Sequence, residues 1–226
     1  MTETEPRTPA ELLRRWLCLA VGLAIMALGV AFSIKAGLGT SPISSTPYVI
    51  SLFAPLTVGQ ITILMHCVFI ALQILLLRRR YQPVQLLQLP VALIFGVLTD
   101  GAVWLLSCIH PSAYWQQWLL CIIGIALVAF GVSLEVTAKV VTLAGEGLVL
   151  AVCQVLPIKF GTMKVLFDVS LVVCACILSF LFLHTLAGVR EGTVAAALLV
   201  GTFARRFNRM LQPLDQSLLR GQPAAK

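Results

Sequence analysis

One carboxylate stands inside a long apolar stretch of this chain. Glu146 lies between Gly145 and Gly147, within the run VVTLAGEGLVLAV. An ionisable side chain in hydrocarbon is costly, so such groups usually carry a proton, bind a cation or contact a substrate. The alternative is that Glu146 caps a helix at a water-exposed mouth. In both cases the two glycines predict a break in the backbone.

Other polar side chains share the apolar surroundings of Glu146. Lys164 and Asp168 are four residues apart, which places them on one helix face and predicts a salt bridge. His66 and Asp100 lie in apolar stretches of the first half of the chain. Each of these groups could also be a buried polar side chain with a local partner. For Glu135, Lys139 and the Arg190–Glu191 pair, which lie near helix ends, snorkelling or exposed pairing is the favoured interpretation.

A segment rich in hydroxyl groups precedes these residues. It reads AGLGTSPISSTP over residues 36–47, a poor sequence for a spanning helix because proline lacks a donor and glycine loosens the backbone. Thr40 or Ser41 can cap a half-helix that begins near Pro42, leaving N–H groups and a positive dipole end that favour an anion. An ordinary external loop is the alternative. The predicted solute-binding residues are Thr40, Ser41, Ser44, Ser45, His66, Glu146 and Asp168.

The chain contains an internal repeat. Residues 22–69 align without a gap on residues 124–171, a shift of 102 positions. Pro55 then falls on Pro157, Gly59 on Gly161, and His66 on Asp168. Paired halves around a central site are a common construction of secondary transporters. The predicted halves are residues 16–109 and 114–207, with 40–54 and 142–156 as equivalent short helices.

Composition indicates a membrane protein. Hydrophobic residues make up 59% of the 226, charged residues only 11%, and the mean hydropathy is +0.99. Soluble domains carry about 25% charged residues. The predicted spans are 16–34, 61–77, 91–109, 118–136, 165–183 and 193–204. The polar first 15 residues do not resemble a cleaved signal. We therefore predict an all-α polytopic membrane protein with about six transmembrane helices and two broken, re-entrant segments.

The basic residues predict the orientation. If 36–56 and 138–158 both dip in and return, 14 of the 16 lysines and arginines lie on the cytoplasmic side. If both segments cross fully, the split falls to ten against six. The first arrangement places the N-terminal segment 1–15, Arg78–Arg80 and the tail 208–226 in the cytoplasm. The two halves then have opposite orientations, which makes the repeat an inverted one.

Two motifs resemble a known bacterial family. GLGTSPISSTPYVIS (37–51), followed by a helix that opens at Gly59, and REGTVAAALLVG (190–201) are similar to patterns of the YczE/YyaS/YitT group of integral membrane proteins. The resemblance covers about residues 15–207. Related sequences often carry Gly-x-Asp or a Gly-Pro-like text in the second broken segment, where this chain has Gly145-Glu146-Gly147. The resemblance implies an architecture and the bacterial inner membrane, without a substrate.

Motifs for catalysis are missing from the sequence. There is no phosphate-binding loop, nucleophile elbow or HExxH, and the cysteines and histidines lack metal spacing. We expect no enzyme activity, cofactor or metal, and the basic pI follows from topology rather than nucleic-acid binding. The expected partners are the bilayer, an unknown small solute or ion, and a second copy in a homodimer. Two functions stay open: a small secondary transporter, or a membrane interaction or regulatory protein whose broken helices serve packing.

Overall fold

The protein is a bundle of α-helices. The computed structural model describes residues 8–214, so the predicted segments 1–15 and 208–226 lie partly outside the described residues. Within the described range there are eight α-helices and no strand. In chain order they are α1 (Pro9–Ala36), α2 (Pro42–Ser51), α3 (Val58–Leu77), α4 (Gln88–Leu105), α5 (Tyr114–Ala138), α6 (Ala144–Val155), α7 (Phe160–Leu183) and α8 (Glu191–Leu214). Two 3-10 turns, Arg78–Arg80 and Pro83–Leu87, join α3 to α4.

Five segments are long and apolar enough to cross a membrane. They are Pro9–Ala36, Val58–Arg80, Pro83–Leu105, Tyr114–Ala138 and Phe160–Leu183. The predicted polytopic helical membrane protein is therefore confirmed. The predicted span 193–204 lies within α8, which is 24 residues long but carries Arg205, Arg206 and Arg209 in its second half. These arginines keep α8 out of the apolar set, although a helix of 24 residues is about 36 Å long.

Local signals in the sequence set the helix ends. Thr8 caps α1 by accepting a hydrogen bond from the Glu11 N–H, and Pro9 occupies the first turn, where its missing donor costs nothing. Gly37 ends α1 with a φ of 68°, a conformation that glycine adopts without strain. Thr57 and Gln60 form a reciprocal capping box at the start of α3.

An antiparallel helix pair, α1 and α5, forms the centre of the bundle. A Cβ atom added at Gly29 would lie 2.8 Å from the Gly124 carbonyl oxygen, and one at Gly131 would lie 2.6 Å from the Gly22 carbonyl oxygen. Gly22 therefore faces Gly131 while Gly29 faces Gly124, so the two helices run in opposite directions. Small residues allow this close approach, which van der Waals packing makes favourable in a membrane.

Two helices are too short to cross the bilayer. α2 has 10 residues and α6 has 12, which gives lengths of about 15 and 18 Å. The hydrocarbon core is about 30 Å thick. They begin at Pro42 and Ala144, 102 positions apart, inside the segments 40–54 and 142–156 that were predicted to form short helices.

Each short helix packs against a long helix from the other half of the chain. α2 runs parallel to α7: the Thr46 hydroxyl donates to the Leu171 carbonyl oxygen at 3.0 Å, and Phe53 stacks on Phe182 at 4.4 Å between ring centroids. α6 packs on α3, where the Gln73 amide donates to the Ala144 carbonyl oxygen at 3.0 Å. The two predicted halves thus interlock, and each of the three hydrophobic clusters contains residues of both halves.

The remaining helices differ between the halves. α3 and α4 are in close contact, because a Cβ at Gly96 would lie 2.7 Å from the Gly59 carbonyl oxygen. Their counterparts α7 and α8 make almost no contact within the described chain. Gly161 of α7 and Gly201 of α8 both have open space where a Cβ atom would be. The third and fourth helices are therefore packed together in the first half (α3 and α4) and separated in the second half (α7 and α8).

Candidate functional site

A cavity lies among the helices of the described bundle. Its volume is about 310 Å³, and all eight helices contribute to its wall. The short helices α2 and α6 both begin at this cavity, with Ser41, Pro42, Leu143 and Glu146 among the lining residues. Much of the remaining wall is apolar and comes from α1, α4, α5 and α8.

The structure brings together five of the seven predicted solute-binding residues. The cavity is lined by Ser41, Ser44, His66, Glu146 and Asp168. The other two, Thr40 and Ser45, are buried outside the lining. The Ser45 hydroxyl donates to the Pro42 carbonyl oxygen at 2.6 Å, while the Thr40 hydroxyl oxygen has no hydrogen-bond partner among the described residues.

The start of α2 differs in detail from the sequence prediction. Ser41 does occupy the N-cap position and Pro42 the first turn, as predicted. The Ser41 hydroxyl, however, bonds to the Ser44 hydroxyl at 3.1 Å and makes no side-chain capping bond to the backbone. The predicted side-chain cap was therefore wrong in its bonding, because the Ser41 hydroxyl donates to another side chain instead of accepting a backbone N–H. Both hydroxyls lie at the cavity.

The start of α6 carries two acidic groups of the protein itself. The Glu135 carboxylate accepts a hydrogen bond from the Leu143 N–H at 2.6 Å, and Glu146 lies in the first turn of α6. Negative charge at a helix N-terminus is favourable because of the helix dipole. At α6 the protein therefore supplies its own carboxylates to the helix N-terminus, whereas the anion preference expected at the start of α2 stays a prediction.

Glu135 is a site residue that sequence reasoning assigned to the wrong class. It was interpreted as a helix-end group in exposed pairing, yet it is 2% exposed and lines the cavity. One signal was available: Glu135 follows Gly131 by four residues and therefore lies on the face of α5 that packs against α1. Position near a helix end did not imply exposure, because α5 ends inside the protein next to α6.

The charged groups of α6 and α7 differ in their pairing. Lys164 and Asp168 form the predicted salt bridge, at 2.8 Å. No hydrogen bond or ion pair joins the Glu146 carboxylate to another side chain among residues 8–214. Glu146 is half-buried, so its carboxylate is available to a ligand or to a proton within the cavity.

His66 offers a further polar atom to the cavity. It is 1% exposed, and its Nδ1 atom has no hydrogen-bond partner in the described part of the chain. The ring packs edge-on against Phe69 and Phe95, of which Phe95 also lines the cavity. A buried nitrogen without a partner is unfavourable unless water or a ligand satisfies it.

The charges of the cavity come from one half of the repeat. Its charged lining residues are Glu135, Glu146, Lys164 and Asp168. The residues 102 positions before them are Ser33, Ser44, Thr62 and His66, none of which carries a fixed charge. Three of these four, namely all except Ser33, also line the cavity. The cavity therefore has a charged wall and a neutral, hydrogen-bonding wall.

Other candidate residues have structural roles. Asp100 accepts hydrogen bonds from the Thr57 hydroxyl at 2.6 Å and the Gly59 N–H at 2.7 Å, so it caps α3 away from the cavity. Arg190 and Glu191 form the predicted exposed pair at 3.2 Å. Within the described range, no group of three or more His, Cys, Asp or Glu side chains is arranged to hold a metal ion.

The fold and the cavity define a class: polytopic α-helical membrane proteins with two half-length helices that begin at a central cavity. The chain belongs to the family described as "Family of unknown function (DUF6198)", which it matches over residues 13–209. This match and the second relative below confirm the predicted YyaS-like family.

Two curated bacterial proteins are similar to the chain. An "Uncharacterized protein" of Haemophilus influenzae is 25% identical over 196 residues, covering 87% of this chain and 84% of the relative. "Uncharacterized protein YyaS" of Bacillus subtilis is 27% identical over 128 residues, covering 55% of this chain and 61% of the relative. No solved structure matches the chain.

Proposed function

We propose that this protein is a small secondary transporter whose substrate site is the central cavity. The observation that carries the proposal is the meeting of two half-helix N-termini at one cavity, beside an unpaired carboxylate, Glu146. Broken helices that begin near mid-membrane are the usual binding elements of secondary transporters. Glu146 can hold either a proton or a cationic group, which provides a means of coupling.

An inverted repeat is the architecture we propose for this transporter. Three observations support it. The equivalent helices α1 and α5 are antiparallel, and α6 and α7 begin 102 residues after α2 and α3, respectively. In addition, α2 packs on α7 while α6 packs on α3. A twofold axis in the membrane plane would exchange residues 16–109 with 114–207. In such proteins the two halves rock against each other to expose the site alternately.

We further propose that the protein resides in the bacterial cytoplasmic membrane with both termini in the cytoplasm. Because α2 and α6 are too short to cross, the arrangement with 14 of 16 basic residues inside is the one that the positive-inside rule favours. The relatives reported above are bacterial. The chain is small for a carrier, so a homodimer is part of this proposal, and catalysis or nucleic-acid binding is not.

The test is uptake by purified protein in proteoliposomes. A panel of labelled cationic, zwitterionic, anionic and neutral solutes is offered under an imposed pH gradient. We expect at least one solute to accumulate above the level of protein-free liposomes. Glu146→Gln should abolish that accumulation or its pH dependence, because the amide cannot exchange a proton. Glu191→Gln, at an exposed carboxylate away from the cavity, is the matched control and should keep wild-type uptake.

The competing function is a membrane interaction or regulatory protein. In that case the broken helices serve packing and the cavity has no solute. Accumulation of no solute in the panel, or unchanged uptake and pH dependence in Glu146→Gln, would contradict the transporter as proposed here.

A further inference from the structure

We infer that the cavity binds an organic cation with an apolar body, and that this ligand enters sideways from the bilayer between α7 and α8. The inference names the class of ligand that the proposed substrate site takes. It rests on the proposed function where it concerns transport of that ligand, but ligand binding can be tested without transport.

The ionisable side chains of the cavity are mostly acidic and favour a cation. Three carboxylates line it, those of Glu135, Glu146 and Asp168, against one ammonium group, that of Lys164. Lys164 is already paired with Asp168 at 2.8 Å, and Glu135 is bonded to the Leu143 N–H, so Glu146 is the carboxylate left for a ligand. An ionised carboxylate in a low-dielectric site attracts a cation strongly and repels an anion.

A second observation points to a ligand independently of the acids. The buried Nδ1 atom of His66 lacks a partner, and His66 lines the same cavity. This side of the wall is neutral and carries the Ser44 hydroxyl and the Phe95 ring. An aromatic face stabilises an organic cation through its quadrupole, and the imidazole and hydroxyl groups can bond a polar substituent.

The apolar part of the wall predicts the rest of the ligand. Met26, Val30, Val128 and Val132 line the cavity from α1 and α5. These side chains offer no hydrogen bonds to a strongly hydrated small ion. They suit an apolar group of a few carbon atoms or one aromatic ring, which a cavity of about 310 Å³ can hold.

The route of entry follows from where the cavity is open. Among its described lining residues, the exposed ones are Val165 of α7 and Ala197 and Gly201 of α8. These two helices make almost no contact with each other, and Val165 is 62% exposed. Next to these positions along the two helices, Leu166 and Leu198 are exposed apolar side chains, at 54% and 70% exposure. A ligand with an apolar body partitions into the bilayer and can reach the cavity through this gap.

Equilibrium binding tests the ligand class. Tritiated benzyltrimethylammonium is measured on purified protein in lipid nanodiscs, with N,N-dimethylbenzamide as the neutral competitor and benzenesulfonate as the anionic one. We expect saturable binding that unlabelled cation displaces and the other two do not. Glu146→Gln should weaken binding by about tenfold or more, since a charged contact is lost, while Glu191→Gln should not. No saturable binding, or displacement by the anion, would overturn the inference.

Matched glycine substitutions test the route. Gly201→Phe places a ring in the gap, whereas Gly101→Phe on α4 fills equally open space outside the cavity lining. The readout is the rate at which a benzyl-ammonium methanethiosulfonate modifies Ser44→Cys in a cysteine-free background in nanodiscs. Gly201→Phe should slow modification by about fivefold or more, and Gly101→Phe should leave it unchanged. Equal rates in the two variants would remove the sideways route.

The outcomes separate this inference from the proposed function. Cation binding without uptake by proteoliposomes supports the ligand class and contradicts the transporter. Uptake of anions alone supports the transporter and contradicts the ligand class.

Discussion

At the scale of a single residue, Glu135 joins α5 to the start of α6. Its carboxylate holds the Leu143 N–H at 2.6 Å in a position that is almost fully buried. Without an acceptor at residue 135, this N–H would be left unsatisfied at the start of α6. A lost hydrogen bond of this kind costs about 1–3 kcal/mol.

The prediction compares two substitutions at this position. Glu135→Gln keeps a carbonyl oxygen that can accept the bond, whereas Glu135→Leu has none. We expect the leucine variant to be less stable than the glutamine variant by about 1–3 kcal/mol, measured as a lower apparent melting temperature in detergent. Equal melting temperatures for the two variants would show that the bond to Leu143 does not hold α6 in place.

The sequence predicted some of the cavity residues and missed others, and the difference has a physical reason. Glu146 and the Lys164–Asp168 pair were identifiable because a charge in an apolar run and an i,i+4 spacing are local signals. Glu135 was misassigned because its burial depends on α1 and on the α5–α6 connection, which no local pattern shows. Asp100 was a candidate for the same reason as Glu146, yet its partners are the residues that begin α3.

At the scale of elements, the positions of glycine and proline residues correctly predicted where the two half-helices begin. The helices α2 and α6 begin at residues 42 and 144, where the sequence placed the half-helices. The sequence could not predict which long helices support them, because those contacts join residues more than 70 positions apart. It also could not predict that α3 and α4 are in contact while α7 and α8 are apart, since both pairs follow the same repeat.

This difference between the pairs gives a prediction at two equivalent glycines. A side chain at Gly59 would collide with the Gly96 carbonyl of α4, whereas one at Gly161 meets open space. Gly59→Leu should therefore broaden or abolish the monodisperse peak in size-exclusion chromatography, because overpacking between helices is strongly unfavourable. Gly161→Leu is the matched control and should keep a wild-type profile. Wild-type profiles for both variants would contradict the packing of α3 on α4.

The topology of the whole molecule is the next prediction. The short 3-10 turn Arg78–Arg80 should lie in the cytoplasm, because its three arginines are the strongest positive-inside signal in the chain. A single cysteine at Arg79, in a cysteine-free background, should react with an impermeant maleimide only after the cells are opened. A cysteine at Ser112, in the connection before α5, is the control and should react in intact cells. Labelling of position 79 in intact cells would reverse the orientation.

The central claim is that the cavity is a solute site that opens to water on each side of the membrane in turn, in addition to the sideways gap between α7 and α8. The most direct measurement compares Ser44→Cys, which lines the cavity, with Ser45→Cys, its buried neighbour outside the lining. Each is placed in a cysteine-free background and treated with an impermeant, cationic methanethiosulfonate. We predict that Ser44→Cys is modified from outside in intact cells and from inside in inverted vesicles, while Ser45→Cys is modified from neither side. Modification of Ser44→Cys from neither side would contradict the transporter and leave α2 and α6 as packing elements.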